Sequence, residues 1–124
     1  MEVDIMEQKY QGSCHCGAIR FEFTTVPLIK GLRCNCSICS RKGAMMTPEA
    51  IAPEKFIIQA KDGALGVYQF GAKTAKHYFC RECGIYPFHE TARMPGHFRA
   101  NLGCVEGIDT FALEVDVFDG KHLL

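Results

Sequence analysis

Seven of the eight cysteines are gathered in three short groups. Cys14 and Cys16 form a Cys-x-Cys, Cys34, Cys36 and Cys39 a Cys-x-Cys-x-x-Cys, and Cys80 and Cys83 a Cys-x-x-Cys, while Cys104 stands alone. Such thiols can build disulfides, run redox chemistry or bind metal. A disulfide framework gains most when its cysteines are scattered, because cross-links that close long loops remove most freedom from the unfolded chain. Bridges inside these groups close almost no loop. Redox chemistry suits Cys80 and Cys83 and leaves the other two groups without a task. Metal binding needs thiolates that converge on one ion at about 2.3 Å each, and closely spaced cysteines do that at little cost in chain freedom. The spacing points to metal.

All-thiolate sites take zinc or iron–sulfur clusters. The common cluster-binding runs lack a Cys-x-Cys step, which favours zinc. Seven grouped thiols make one four-cysteine site and one three-cysteine site. The compact Cys34–Cys36–Cys39 run can serve one ion alone, leaving the pairs Cys14/Cys16 and Cys80/Cys83 to share another. A closed site is structural, whereas three protein ligands keep a position open for water or substrate. Spacing leaves other groupings open: Cys104 or one of His15, His77, His89 and His97 can close the second site. Cys104, within Leu-Gly-Cys-Val, reads most simply as a small buried hydrophobe.

The elements that must hold these groups read as short strands. Ile19 to Phe23 alternates apolar and polar, a half-buried strand by period. Ile29 to Arg33 leads into the central cysteines, and Ser40 to Met46 reads as a turn or short helix. Lys55 to Ala60, Leu65 to Phe70 and Thr74 to Phe79 are separated by turn-like Lys61-Asp62-Gly63 and Gly71-Ala72. Ile85 to Glu90, His97 to Leu102 and Leu113 to Phe118 complete the set. Helices are expected only as single turns near Ser40 and Pro53. Twelve glycines and five prolines suit this turn-rich plan. Gly17 and Gly84 each follow the last cysteine of a pair, where a positive φ turns backbone amides toward sulfur. The expected fold is mainly β, a single zinc-stabilised domain of short antiparallel sheets over residues 1–124.

Composition excludes some functions. Fourteen basic residues balance fourteen acidic ones, so a nonspecific nucleic-acid surface, which needs excess Lys and Arg, is not expected. No apolar run approaches the roughly 18 residues of a membrane span. The opening Met1–Lys9 is mixed and charged, with no apolar stretch of a secretory signal. A cytoplasmic, reducing location is expected, where structural disulfides are rare.

Gly12-Ser13-Cys14-His15-Cys16-Gly17-Ala18-Ile19-Arg20-Phe21, Cys34-Asn35-Cys36-Ser37-Ile38-Cys39 and Phe79-Cys80-Arg81-Glu82-Cys83-Gly84 resemble the glutathione-dependent formaldehyde-activating enzyme and centromere protein V family. The likeness runs in order from about Gly12 to Asp109. The Cys-Asn-Cys-Ser-Ile-Cys wording and Pro95-Gly96-His97-Phe98 look closer to the centromere protein V branch. The resemblance implies an Mss4-like β fold with two zinc ions per chain. It implies a structural zinc on Cys14, Cys16, Cys80 and Cys83, and a catalytic one on Cys34, Cys36 and Cys39. It further implies a carbon–sulfur lyase that joins glutathione to formaldehyde or releases it from the adduct. Arg33, Arg41 and Lys42 flank the central cysteines and are candidates to offset thiolate charge or grip glutathione carboxylates. The alternative class is a non-catalytic zinc module whose surface binds a partner.

Overall fold

Alternation along Ile19–Thr25 buries Ile19, Phe21, Phe23 and Thr25 and turns the residues between them outward. In a computed structural model, which describes residues 6–123, this segment is the middle strand of a three-stranded antiparallel sheet. Its neighbours are β1 (Gln8–Ser13) and β4 (Phe56–Ala60), with Ile19–Thr25 as β2. Residues 1–5 of the charged opening segment lie outside the described residues. A second antiparallel sheet runs β5 (Leu65–Tyr68), β6 (Lys76–Cys80), β7 (Phe88–Glu90), β8 (Phe98–Ala100). The fold is mainly β, as composition and period predict.

Aromatic side chains join the two sheets. Phe56 of β4 stacks on Phe98 of β8 at 4.6 Å between ring centroids, and Phe21 of β2 meets Phe88 of β7 edge-on at 5.4 Å. Each buried ring withdraws enough apolar surface to stabilise the fold by about 1.5–3 kcal/mol before entropy is counted, and paired rings add about 0.5–1.5 kcal/mol. The pleat then decides what faces away from this core. Phe88 pairs with Ala100 on the aromatic face, so the next residues, His89 and Arg99, pair on the opposite one. His77 pairs with His89 and Tyr68 with His77. A row of Tyr68, His77, His89 and Arg99 thus crosses four strands on one face.

The remaining strands depart from the expected antiparallel pattern. β3 (Lys30–Cys34) pairs in parallel with β9 (Glu114–Phe118). Parallel partners need a long crossover, and here β4 and the whole four-stranded sheet lie in the chain between them. The expected short helix near Ser40 is α1 (Ser37–Lys42), closed by Gly43 in the left-handed conformation, and Pro53–Lys55 is a single 3-10 turn. The span expected as one strand from His97 to Leu102 is shorter, because the chain turns at Leu102–Cys104. β1 and the terminal turn α2 (Gly120–Leu123) were not expected from period. No helix among the described residues is long and apolar enough to cross a membrane.

Candidate metal centres and the adjoining cavity

The turn between β1 and β2 carries Cys14 and Cys16, and the end of β6 and the turn after it carry Cys80 and Cys83. The four thiols converge, with all sulfurs within 4.8 Å of one another. Cys14 Sγ and Cys80 Sγ each lie 3.7 Å from Cys16 Sγ. Four sulfurs placed tetrahedrally about 2.3 Å from a zinc ion sit roughly 3.8 Å apart, so the thiol set fits that ion. Backbone amides support the sulfurs. Ile19 N–H donates to Cys14 Sγ at 3.3 Å, and the amides of Cys16 and Ile85 pull the Cys83 thiol down to about 6. Gly17 and Gly84 take φ of 83° and 80° at these two turns, the left-handed region that bends the chain round the sulfurs.

Cys34 ends β3, Cys36 precedes α1 and Cys39 lies within it. Their sulfurs also fall within 4.8 Å of one another, and no His, Asp, Glu or further Cys among the described residues joins them. Burial opposes ionisation of Cys36, yet the amides of Cys39 and Ile38 and the neighbouring thiols outweigh it and hold Cys36 below the ordinary thiol value. Burial and the neighbouring Cys36 push Cys39 up to about 12. One thiolate suppresses its neighbours, and a bound cation relieves that conflict. The three thiols fit zinc as a three-ligand set with one position left over.

That set opens on a cavity of about 360 Å3, walled on one side by His77, His89 and Arg99 of the cross-strand row and lined mainly by apolar side chains such as Leu32, Met46, Phe70 and Phe118. Lys42, at the end of α1, reaches into it. Its Nζ lies 2.6 Å from His77 Nδ1 and 3.6 Å from the centre of the Tyr86 ring. Burial lowers Lys42 to about 8, against the pull of Cys39 and Cys36. Burial, then Lys42, lowers His77 to about 4, so its ring is neutral near pH 7 and accepts the ammonium proton. Tyr86 hydrogen-bonds His89 Nδ1. Burial, then Lys42, His77 and Arg99, holds His89 well below the ordinary histidine value.

Of the flanking cations expected to serve the site, Lys42 alone lines the cavity. Arg33 is exposed on β3, and Arg41 folds its guanidinium back onto the Ser37 carbonyl at 2.7 Å. The alternation of a strand and the turn of a short helix aim these neighbours in different directions. Cys104 is half-buried rather than buried, belongs to neither thiol set, and directs its Sγ toward the Tyr86 carbonyl at 3.9 Å. His77 and His89 wall the cavity without joining the thiols, while His15 is exposed and His97 sits near the Pro95 carbonyl. Tyr86, Arg93 and Arg99 also line the cavity. They carry no motif in the sequence, and only strand register brings Arg99 to this wall.

The chain is similar to a Rhodobacter sphaeroides protein whose crystal structure was a structural genomics target. The two are 33% identical, the match covers 86% of this chain and 99% of that one, and the TM-score is 0.75. A model of the glutathione-dependent formaldehyde-activating enzyme matches residues 9–121, a longer span than the cysteine motifs alone suggest. The match is to the family as a whole and selects no branch of it. With nearly the whole chain inside that match, this protein belongs to the glutathione-dependent formaldehyde-activating enzyme family.

Proposed function

We propose that the protein is a cytoplasmic, single-domain zinc enzyme of the carbon–sulfur lyase type. Its substrate is a glutathione–aldehyde adduct of the S-(hydroxymethyl)glutathione kind. The observation that carries this reading is the three-thiol set, with no fourth protein ligand among the described residues, opening on a cavity. Cys14, Cys16, Cys80 and Cys83 would hold a structural zinc, and Cys34, Cys36 and Cys39 a second. Zinc bound there supplies an acceptor position for a further thiolate and favours deprotonation of the incoming thiol near neutral pH.

The chain's own groups account for the rest. Three thiolates and a fourth from substrate outweigh the charge of one divalent ion, and the Lys42 ammonium, near Cys39 and Cys36, offsets part of the excess. Leu32, Met46, Phe70 and Phe118 keep water from much of the space beside the thiols. In the addition direction the thiol S–H loses its proton and the sulfur electron pair forms a C–S bond to the carbonyl carbon. The carbonyl π pair moves to oxygen, which takes up a proton; release of the aldehyde runs the same steps backward.

Cobalt-substituted protein tests the open position. Glutathione should add sulfur-to-cobalt charge-transfer intensity to the wild type and leave the Cys36→Ser spectrum unaltered. A silent wild-type titration would replace the enzyme by a zinc-stabilised binding module.

A further inference from the structure

The cavity wall carries more positive charge than the thiols need. Lys42 is committed to His77, Tyr86 and the neighbourhood of Cys36 and Cys39. Two guanidinium groups remain on the same lining, Arg99 and Arg93, and no aspartate or glutamate lines the cavity. Arg99 is half-buried. Its Nη1 donates to the carbonyls of Thr47 and Pro48, each at 2.9 Å, which anchors one edge of the fork to the backbone. Among the described residues, no carboxylate lies within ion-pair distance of Arg99 or Arg93, and no side-chain nitrogen is buried without a partner. The free edge of the Arg99 fork is therefore accessible. Glu49, the acidic group whose charge reaches it, is exposed and outside the lining.

Arg93 holds the rim, with its guanidinium carbon 4.1 Å from the centre of the Phe118 ring. Stacking on an aromatic face fixes the plane of a guanidinium without using its N–H donors. Both forks thus keep donors for a ligand, next to a set of thiols. A half-buried guanidinium with one anchored edge, one open edge and no counter-ion is built to receive a planar anion, for which two parallel N–H donors match a carboxylate. The missing acids matter equally, because a cationic ligand would find no partner on this wall.

We propose that Arg99, assisted by Arg93 at the rim, is a carboxylate receptor that makes the site select thiols and thiol adducts bearing a carboxylate over neutral or cationic ones. This rests on the reading of the three-thiol set as an open site. Arg99 positions the ligand, and the sulfur end meets the thiol set.

Two titrations separate this inference from that reading. On cobalt-substituted protein, mercaptopropionate and glutathione should perturb the wild-type spectrum at concentrations about tenfold below mercaptoethanol and cysteamine. Arg99→Gln should raise the first two to the level of mercaptoethanol and leave mercaptoethanol unchanged, while Arg99→Lys should retain part of the preference. Calorimetry with S-methylglutathione and its dimethyl ester needs no free thiol. Wild type should bind the acid about tenfold tighter than the ester, and Arg99→Gln should bind both alike. If Arg99→Gln does not fold, Arg93→Gln at the exposed rim should lose part of the same preference. Wild type that binds acid and ester equally overturns the receptor. A variant that weakens both equally also overturns it, assigning Arg99 to structure alone. Silence of every thiol in the cobalt titration overturns the open site, and the calorimetric preference then decides the receptor by itself.

Discussion

The two cysteine sets differ in how they sit on the chain. The four-thiol set joins the β1–β2 turn to the end of β6, so its partners Cys16 and Cys80 are 64 residues apart. It has buried Cys14 and Cys80 at its heart. The three-thiol set lies within six consecutive residues, on one strand end and one short helix, and faces a cavity. An ion in the first set cross-links distant segments and restrains the whole fold. An ion in the second restrains only a local bend that β3 and α1 already impose. Sequence distance between ligands therefore separates the ion that holds the molecule together from the one that can be spared to bind something else.

Breaking the first set should have the largest effect. Structural zinc contributes on the order of 10 kcal/mol or more to small domains, comparable to the whole stability of such a fold. Cys80→Ser should give insoluble or unfolded protein with reduced zinc content, read by circular dichroism and metal analysis. A soluble variant with a native spectrum and unchanged zinc would end the contrast. Cys36→Ser should do much less, removing about one zinc per chain while keeping the β spectrum and a cooperative thermal transition within several degrees of wild type. If it collapses as Cys80→Ser should, both sets are structural.

Spacing and flanking glycines make the four-thiol set a candidate because they bear directly on metal chemistry. The family resemblance selects it among the groupings that spacing leaves open, and strand period bears on the core. The cavity is legible in none of these. His77, His89 and Arg99 come together through register across β6, β7 and β8, and register is fixed by pairing partners that are not neighbours in sequence. Arg33 and Arg41 are nearer to the cysteines along the chain than Arg99, yet they do not line the cavity. β1 has no apolar period to see, because Gln8–Ser13 is mostly polar. The parallel pairing of β3 with β9 likewise depends on the closure of the whole chain rather than on either strand.

The cavity side also carries a pH dependence. His77 has a value of about 4 in the folded protein, lowered by burial and Lys42, against 6.5 when unperturbed. Between these values the unfolded chain binds a proton that the folded chain refuses, so stability falls as pH drops. It is fully present above about pH 6.5, and the loss levels off below pH 4. After discounting for the access of water, the drop is about 1–2 kcal/mol. His77→Gln should reduce the slope of that part of the urea-midpoint profile, leaving the share that His89 contributes with the same sign, and leave its neutral end nearly unmoved. Because acid also competes for thiolates, the difference between variant and wild type is the quantity to read. An unchanged slope would remove His77 from the account.

The smallest expected effect lies at the turn of the closed set. Gly84 has φ of 80°, and a Cβ built there meets nothing within 4 Å. Any cost of a side chain is therefore backbone strain alone. A left-handed conformation costs an ordinary L-residue about 1 kcal/mol, and asparagine tolerates it better than alanine. Gly84→Ala should lower the stability of the zinc-loaded protein by about 1 kcal/mol, and Gly84→Asn by less. Gly43 closes α1 beside the three-thiol set, with φ of 65° and similarly open space, so Gly43→Ala should cost a similar amount. What should differ is the metal. At Gly84 the turn shapes a set that the whole fold depends on, so alanine should weaken the tight zinc equivalent, read by competition with a chelator. At Gly43 alanine should leave that equivalent unchanged, since the turn it strains lies outside the four-thiol set. Equal losses of the tight zinc in both variants would mean that the two centres are coupled through the fold, and that the separation drawn from their spacing fails.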